Sequence, residues 1–333
     1  MNRIHWGILG TGKIAHQFAT GLKTLPDAKL LAVGSRSRHT ADEFGVTFDV
    51  PRTYSSYEAL AADADVQIVY IGTPHPMHFE NTMLCLEAGK AVLCEKPFAL
   101  NARQAAQMIA KAREKNLFVM EAMWTRFIPA VAEAKRKIDS GDIGEVWMIA
   151  ADFGFRKAFD PKSRLFDPTL GGGALLDVGI YPIAMASWFF GAPVEIKSAA
   201  RMAPTGVDEV ATMQIKYQGG QLAALSCAIS LKTRMEATFA GTEGYLVIHA
   251  PFWKATQYSI TLPEGAPSTP NAPHQVFTVP YESNGYQFEA IEAMRCLREG
   301  LTESPTIPLD ETLQMMQTLD AIRHEWGLKY PME

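Results

Sequence analysis

The hexapeptide Gly10-Thr11-Gly12-Lys13-Ile14-Ala15 does most to restrict what this chain can become. It follows the apolar run of residues 4–9 and opens a segment, 13–25, in which Ile14, Ala15, Phe18, Ala19 and Leu22 fall on one helical face. A G-x-G-x-x-G/A pattern is weak alone, but between a strand and a helix it acquires a mechanism. Gly10 permits the tight turn, Gly12 lets the backbone approach a ligand, and Ala15 is small enough for the helix to pack on the strand. Free N–H groups at the helix start, with the helix dipole behind them, favour an anion. The expected ligand is the pyrophosphate of a dinucleotide, held by Gly10, Thr11, Gly12, Lys13 and Ile14.

The end of the next strand, 30–34, bears on which dinucleotide. An acidic residue there bonds the adenosine ribose 2′-hydroxyl. This chain instead carries Gly34-Ser35-Arg36-Ser37-Arg38. An arginine accommodates a 2′-phosphate, and its planar face stacks on adenine. Ser35, Arg36 and Arg38 are therefore assigned to the cofactor, with NADP(H) preferred and NAD(H) the alternative.

Residues 1–121 go on alternating strand and helix patterns: strands at 66–71, 91–94 and 117–120, helices at 57–62, 76–88 and 101–115. Near-continuous apolar strands between amphipathic helices predict a doubly covered parallel sheet. From about 122 onward longer strands follow one another with few helices, at 145–155, 195–200, 209–217, 221–230, 235–240 and 244–249. That half, 122–333, reads as an α/β domain with a largely antiparallel sheet, carrying the substrate side and an oligomer face. Residues 263–273 read as a surface loop, and two helices, 284–299 and 309–326, close the chain.

A net charge of −5 over 333 residues argues against nucleic acid or an anionic membrane as partner. No apolar run of membrane-spanning length is seen, and no basic segment leads into an apolar one at the N-terminus. A cytoplasmic setting is expected, with Cys85, Cys94, Cys227 and Cys296 as free buried thiols. Their spacing matches no metal site, and none is expected.

Two further stretches carry chemistry. Glu95-Lys96-Pro97 follows the strand at 91–94, so a lysine stands where a sheet strand ends, the place at which open α/β sheets bind ligands. Gly171 to Pro182 reads GGGALLDVGIYP. Its glycines permit close backbone approach, with the nicotinamide or substrate as the expected neighbour. Asp177 and Tyr181 are four apart, on one face of a helix that Pro182 would kink. Taken alone they read as a solvated helix residue and a core tyrosine. A tyrosine is a poor base at neutral pH, and a neighbouring ammonium stabilises its phenolate. Lys96 beside Tyr181 would supply that charge, with Asp177 orienting a substrate hydroxyl or holding Lys96.

These motifs together resemble the Gfo/Idh/MocA family of NAD(P)-dependent oxidoreductases. The matching pieces are Gly10-Thr11-Gly12, Thr73-Pro74-His75 with His78, Glu95-Lys96-Pro97 and Gly171 through Tyr181, so the resemblance spans both halves. It implies an N-terminal Rossmann domain, a C-terminal α/β domain with an open sheet, and a homodimer or homotetramer formed through that sheet. The family's catalytic lysine falls on Lys96, and its aspartate and following histidine fall on Asp177 and Tyr181. Tyrosine for histidine and His75 for the commoner asparagine are departures. Both resemble the branch of dimeric dihydrodiol dehydrogenases and NADP-dependent xylose dehydrogenases, as does the stretch Met120 to Phe127. In that branch tyrosine is the proposed acid/base.

Thr73, Pro74, His75, Glu95 and Lys96 are candidates for cofactor contact, and so are Trp124 and Arg126, which follow the last strand of the first half at the cleft. For Trp124 and Arg126, core packing or a structural ion pair is the alternative; His78 is expected to be structural. Lys96, Phe153, Asp177, Tyr181 and Trp253 are candidates for substrate contact, the two aromatics as a wall or as core. The implied reaction passes a hydride between a nicotinamide cofactor and a CH–OH group of an aldose or cyclic diol. A non-catalytic NAD(P)-binding sensor on the same fold is the rival. Transient NAD oxidation in glycoside cleavage is a second, for which the chain shows no additional groups.

Overall fold

The computed structural model describes residues 3–262 and 274–333; the expected loop at 263–273 lies outside them. The chain opens with β1 (Ile4–Leu9), α1 (Lys13–Leu22), β2 (Ala28–Gly34), α2 (Arg38–Phe48), β3 (Arg52–Tyr54), α3 (Tyr57–Ala61) and β4 (Ile68–Ile71). Then come α4 (His78–Glu87), β5 (Ala91–Glu95), α5 (Ala102–Lys115) and β6 (Val119–Ala122). The later elements are α6 (Pro129–Asp139), β7 (Val146–Gly154), α7 (Ile180–Phe190), β8 (Pro193–Met202), β9 (Asp208–Tyr217) and β10 (Leu222–Ala228). They are followed by β11 (Ala237–Gly241), β12 (Gly244–Ile248), β13 (Gln257–Thr261), β14 (His274–Thr278), α8 (Gln287–Arg298) and α9 (Leu309–Glu325).

The first six strands form one parallel sheet in the order β3-β2-β1-β4-β5-β6. This is the doubly wound order, which reverses between β1 and β4 and opens a ligand crevice at their carboxyl ends. Every residue of β4, β5 and β6 is buried. Apolar strands of this kind require cover on both faces, which the flanking helices supply. On α1, Ala15, Phe18, Ala19 and Leu22 are buried, the face read from the sequence. The short β3 was not legible, because three half-buried residues leave no apolar pattern.

The other eight strands form a second sheet in the order β14-β13-β12-β11-β7-β10-β9-β8. All its pairings are antiparallel except β7 with β10, which run parallel. On β9, Ala211, Met213, Ile215 and Tyr217 are buried while Thr212, Gln214 and Lys216 are exposed, so one sheet face is covered and the other open.

The chain divides into two compact units, one of residues 1–124 with 282–316 and one of 125–281 with 317–333. The return of 282–316 to the first unit departs from the linear split at 121/122. Local contacts explain it. Asn284 Nδ2 donates to Gln17 O at 2.7 Å, and Val119 N to Thr302 O at 3.0 Å. A Cβ on Gly21 would lie 2.9 Å from Gln287 N, so α8 sits tight on α1.

The helical stretch Pro168–Phe190, 23 residues long, contains an 18-residue window of mean hydropathy 1.4, long and apolar enough to cross a membrane. Of its most apolar window 83 % is buried, as befits a core helix.

Candidate active site

In the first unit the dinucleotide loop has the expected build. Gly10 has φ +94°, and a Cβ there would lie 3.0 Å from Gly72 O, so both the turn and the approach of β1 to β4 demand glycine. Gly12 differs. Its φ of −76° suits any residue, and a Cβ there would meet no protein atom within 4 Å. It N-caps α1 without a side-chain cap. Open space before uncapped N–H groups fits a pyrophosphate.

At the end of β2, Ser35 is buried and its Oγ lies 2.7 Å from Thr40 Oγ1. Arg38 Nη1 donates to Thr53 O at 2.8 Å, fixing it against β3. Arg36 is exposed, and its charge and hydrogen bond act on the Tyr57 hydroxyl, whose pKa burial raises. Arg36 thus stands at the strand end with its guanidinium hydrogen-bonded to the Tyr57 hydroxyl.

The segment after β5 is pinned from four sides. Glu95 turns inward: Oε1 accepts from Tyr70 Oη at 2.5 Å, and Oε2 from the Lys96 amide at 3.2 Å. Pro97 O lies 2.7 Å from His78 Nδ1, and the Phe98 amide donates to Glu121 Oε1 at 3.1 Å. Burial and the Glu95 charge drive the Tyr70 pKa well up, so Tyr70 donates. Lys96 itself is half-buried at the carboxyl end of β5. The loop after β4 is held likewise: Asn81 Nδ2 donates to Thr73 Oγ1 at 2.9 Å, and Thr73 and His75 are buried. Trp124 stacks on Tyr286, with ring centres 4.2 Å apart.

In the second unit a π-helical turn, Leu175–Gly179, runs into α7 and carries Asp177. Tyr181 follows in the first turn of α7, with Pro182 next to it. The sequence allowed for a kink at the proline, and the structure places a π turn there. Arg164 Nη2 bonds Asp177 Oδ1 at 3.1 Å. Phe153 and Trp253 stack at 3.5 Å, and the Tyr181 ring lies 5.3 Å from Phe153 and 6.4 Å from Trp253. The unit therefore gathers Tyr181, Phe153 and Trp253 into one aromatic group. Arg126 lies over the Trp188 ring at 5.1 Å, built into the packing.

The glycine cluster has an internal reason that the sequence reading missed. A Cβ on Gly173, which has φ +121°, would fall 2.3 Å from Asp208 Oδ1. On Gly172 it would fall 2.8 Å from Leu165 O, and on Gly179 2.8 Å from Cys227 Sγ. These glycines admit the protein's own atoms, which by itself accounts for glycine at Gly172, Gly173 and Gly179. Asp208, fully buried, accepts the Leu175 amide at 2.6 Å and so caps the helical stretch that bears Asp177 and Tyr181. Burial lifts its pKa from 3.8 to about 6, against the pull of the Leu175, Asp208 and Ala174 amides and the Arg323 charge. Nothing in the sequence announced Asp208 or Arg164. Each meets its partner across a span with no motif spacing.

Residues 4–123 match the oxidoreductase family with an NAD-binding Rossmann fold, and residues 131–247 match the Gfo/Idh/MocA C-terminal domain. The chain is 38 % identical to the trans-1,2-dihydrobenzene-1,2-diol dehydrogenase of Bos taurus and 37 % to that of Homo sapiens, over 99 % of both chains in each case. A 3-ketoreductase from Actinomadura kijaniata, solved with NADP and TDP-benzene, is 26 % identical with a TM-score of 0.85 over 97 % of this chain and 98 % of that one. Levoglucosan dehydrogenase, 19 % identical, shares the fold with a TM-score of 0.89 over 98 % and 97 %. With this dinucleotide loop and strand order beside relatives that match from end to end, the chain belongs to the Gfo/Idh/MocA family and is an NAD(P)-dependent oxidoreductase.

Proposed function

We propose that the protein is an NADP-preferring dehydrogenase or reductase acting on a CH–OH group of a cyclic diol or sugar. The observation that carries this reading is the stacked Phe153–Trp253 pair beside Tyr181, with Asp177 held by Arg164 one helical turn away. A flat aromatic wall favours a ring-shaped substrate, and a phenol next to it is placed for proton transfer. The trans-dihydrodiol substrates named for the mammalian relatives are rings of this kind. The exposed Arg36 at the end of β2 supports NADP(H).

In the oxidative direction the substrate hydroxyl gives its proton to the Tyr181 oxygen while the carbon-bound hydrogen leaves as hydride, and a carbonyl forms. The nicotinamide cofactor, when bound, supplies the hydride acceptor. A cation would stabilise the phenolate form of Tyr181, and that is the role proposed for Lys96. Asp177, oriented by Arg164, accepts a hydrogen bond from a substrate hydroxyl and fixes its direction. In the reductive direction the same tyrosine returns the proton. Four buried cysteines without disulfides fit a reducing cytoplasmic setting.

The test is turnover of a panel of trans-dihydrodiols, aldopentoses, aldohexoses and open-chain secondary alcohols, followed by nicotinamide absorbance with NADP and NAD side by side. NADP-dependent oxidation of a ring-bearing alcohol is expected. Preference for NAD, or turnover confined to open-chain alcohols, would overturn the reading.

A further inference from the structure

His78 opens α4 and has no exposed surface. Its Nδ1 lies 2.7 Å from Pro97 O, and its Nε2 lies 2.9 Å from Thr73 O. Both partners are backbone carbonyls, which only accept. A neutral imidazole carries one N–H, so a neutral His78 would press a ring lone pair against a carbonyl lone pair in a dry site. With a second proton both contacts become charge-assisted hydrogen bonds, whose usual length is about 2.7–2.9 Å. We propose that His78 is held as an imidazolium and acts as a positioning residue, a brace between the loop after β4 that carries Thr73–His75 and the loop after β5 that carries Lys96. This rests on the reading that those two loops serve the reaction.

The brace joins the carboxyl ends of neighbouring strands, since β4 and β5 pair directly. Those ends are where a doubly wound sheet meets its ligand. Asn81, three residues on along α4, secures the same Thr73 through its hydroxyl at 2.9 Å. One helix face therefore fixes Thr73 twice and Pro97 once. Only a ring with donors on opposite edges spans both carbonyls; an amide side chain reaches one. The direct link between the Thr73 and Pro97 carbonyls then depends on a single proton.

The charges around α4 set whether that proton stays. On α4 itself are Glu80 and Glu87, and in the turn before it is His75, whose ring centre is 5.7 Å from that of His78. Of the elements packed against α4, β4 brings Tyr70, and β5 and its loop bring Cys94, Glu95 and Lys96. From α3 come Tyr57 and Glu58; from α5 come Arg103, Lys111, Arg113, Glu114 and Lys115. Lys111 and Lys115 pair with Glu87 at the far end of α4. The helix dipole and Lys96 oppose a cation at this position. The two carbonyls bond it directly, and buried carboxylates at the ends of β5 and β6, Glu95 and Glu121, favour it.

The protein labelled with 15N-histidine, in complex with NADPH, tests this by long-range 1H–15N spectra at neutral pH. One buried histidine with both ring nitrogens protonated is expected, absent from His78→Gln. A His78 signal with one bare nitrogen overturns the proposal. The second arm is the pH profile of kcat/KM. Wild type should lose activity as pH rises past the point where His78 gives up its proton. His78→Gln should run about 10²-fold lower, the cost of a small misplacement, and should lack that alkaline limb. A folded variant with wild-type kcat and an unchanged profile overturns the positioning role. If His78→Gln does not fold, His78→Asn and the wild-type spectrum decide. Unimpaired turnover in Lys96→Met would sink the functional reading and leave the protonation result standing.

Discussion

At the scale of single residues, two glycines of the same type do opposite work. Gly173 is glycine because the Asp208 carboxylate occupies the place of a side chain and because its φ is +121°. Gly173→Ala should therefore cost about 2–4 kcal/mol of stability in a denaturant titration. Gly12 meets nothing within 4 Å, so Gly12→Ala should leave the unfolding midpoint in place and weaken NADPH binding tenfold or more. Isothermal titration beside thermal unfolding separates the two effects. Asp208 adds a pH dependence. Its folded pKa, raised to about 6, means its contribution to stability is full below about 3.8 and is lost as pH rises through 6. The loss amounts to about 3 kcal/mol at roughly 1.4 kcal/mol per pH unit. Asp208→Asn should not show that loss between pH 4 and 7, and an identical pH dependence of unfolding in both proteins would contradict this. Glycine spacing signals that something comes close. It could not tell that the neighbour was Asp208, which lies on another element.

At the scale of elements, the pattern that survived best is the one with local causes. The strand–turn–helix of β1 and α1, the buried β5 before Lys96, and the alternation along β9 all follow from side-chain period within a few residues. What was not legible depends on partners far along the chain. Helix α8 shows an amphipathic face but not that its mate is α1. The strands β13 and β14 went unread, flanking a Pro-rich stretch that drew attention to the turn. At the end of β2, Arg38 bonds Thr53 O and Arg36 the Tyr57 hydroxyl, and the exposed Arg36 is the arginine proposed to discriminate cofactors. Arg36→Asp should raise KM for NADP at least tenfold with little change for NAD. An equal effect on both would contradict the assignment.

At the scale of the whole molecule, the open face of the second sheet carries an apolar row bordered by the polar Gln214 and Lys216 of β9. Leu222, Met148 and Tyr245 occupy one cross-strand row, through Leu222–Met148, Met148–Ala240 and Ala240–Tyr245, and are 51 %, 44 % and 43 % exposed. Ala150 and Ala224 pair in the same register two residues on. We propose that a second copy of the chain covers this face. Light scattering should show a dimer or tetramer that Met148→Lys with Leu222→Lys converts to monomer; a monomeric wild type would contradict it. The central claim concerns chemistry, and the turnover of Tyr181→Phe tests it most directly, measured on the best ring-bearing alcohol with NADPH affinity checked in the same sample. The account predicts a loss of 10²-fold or more in kcat with cofactor binding unchanged. Wild-type turnover in a variant that lacks only the Tyr181 oxygen would contradict it.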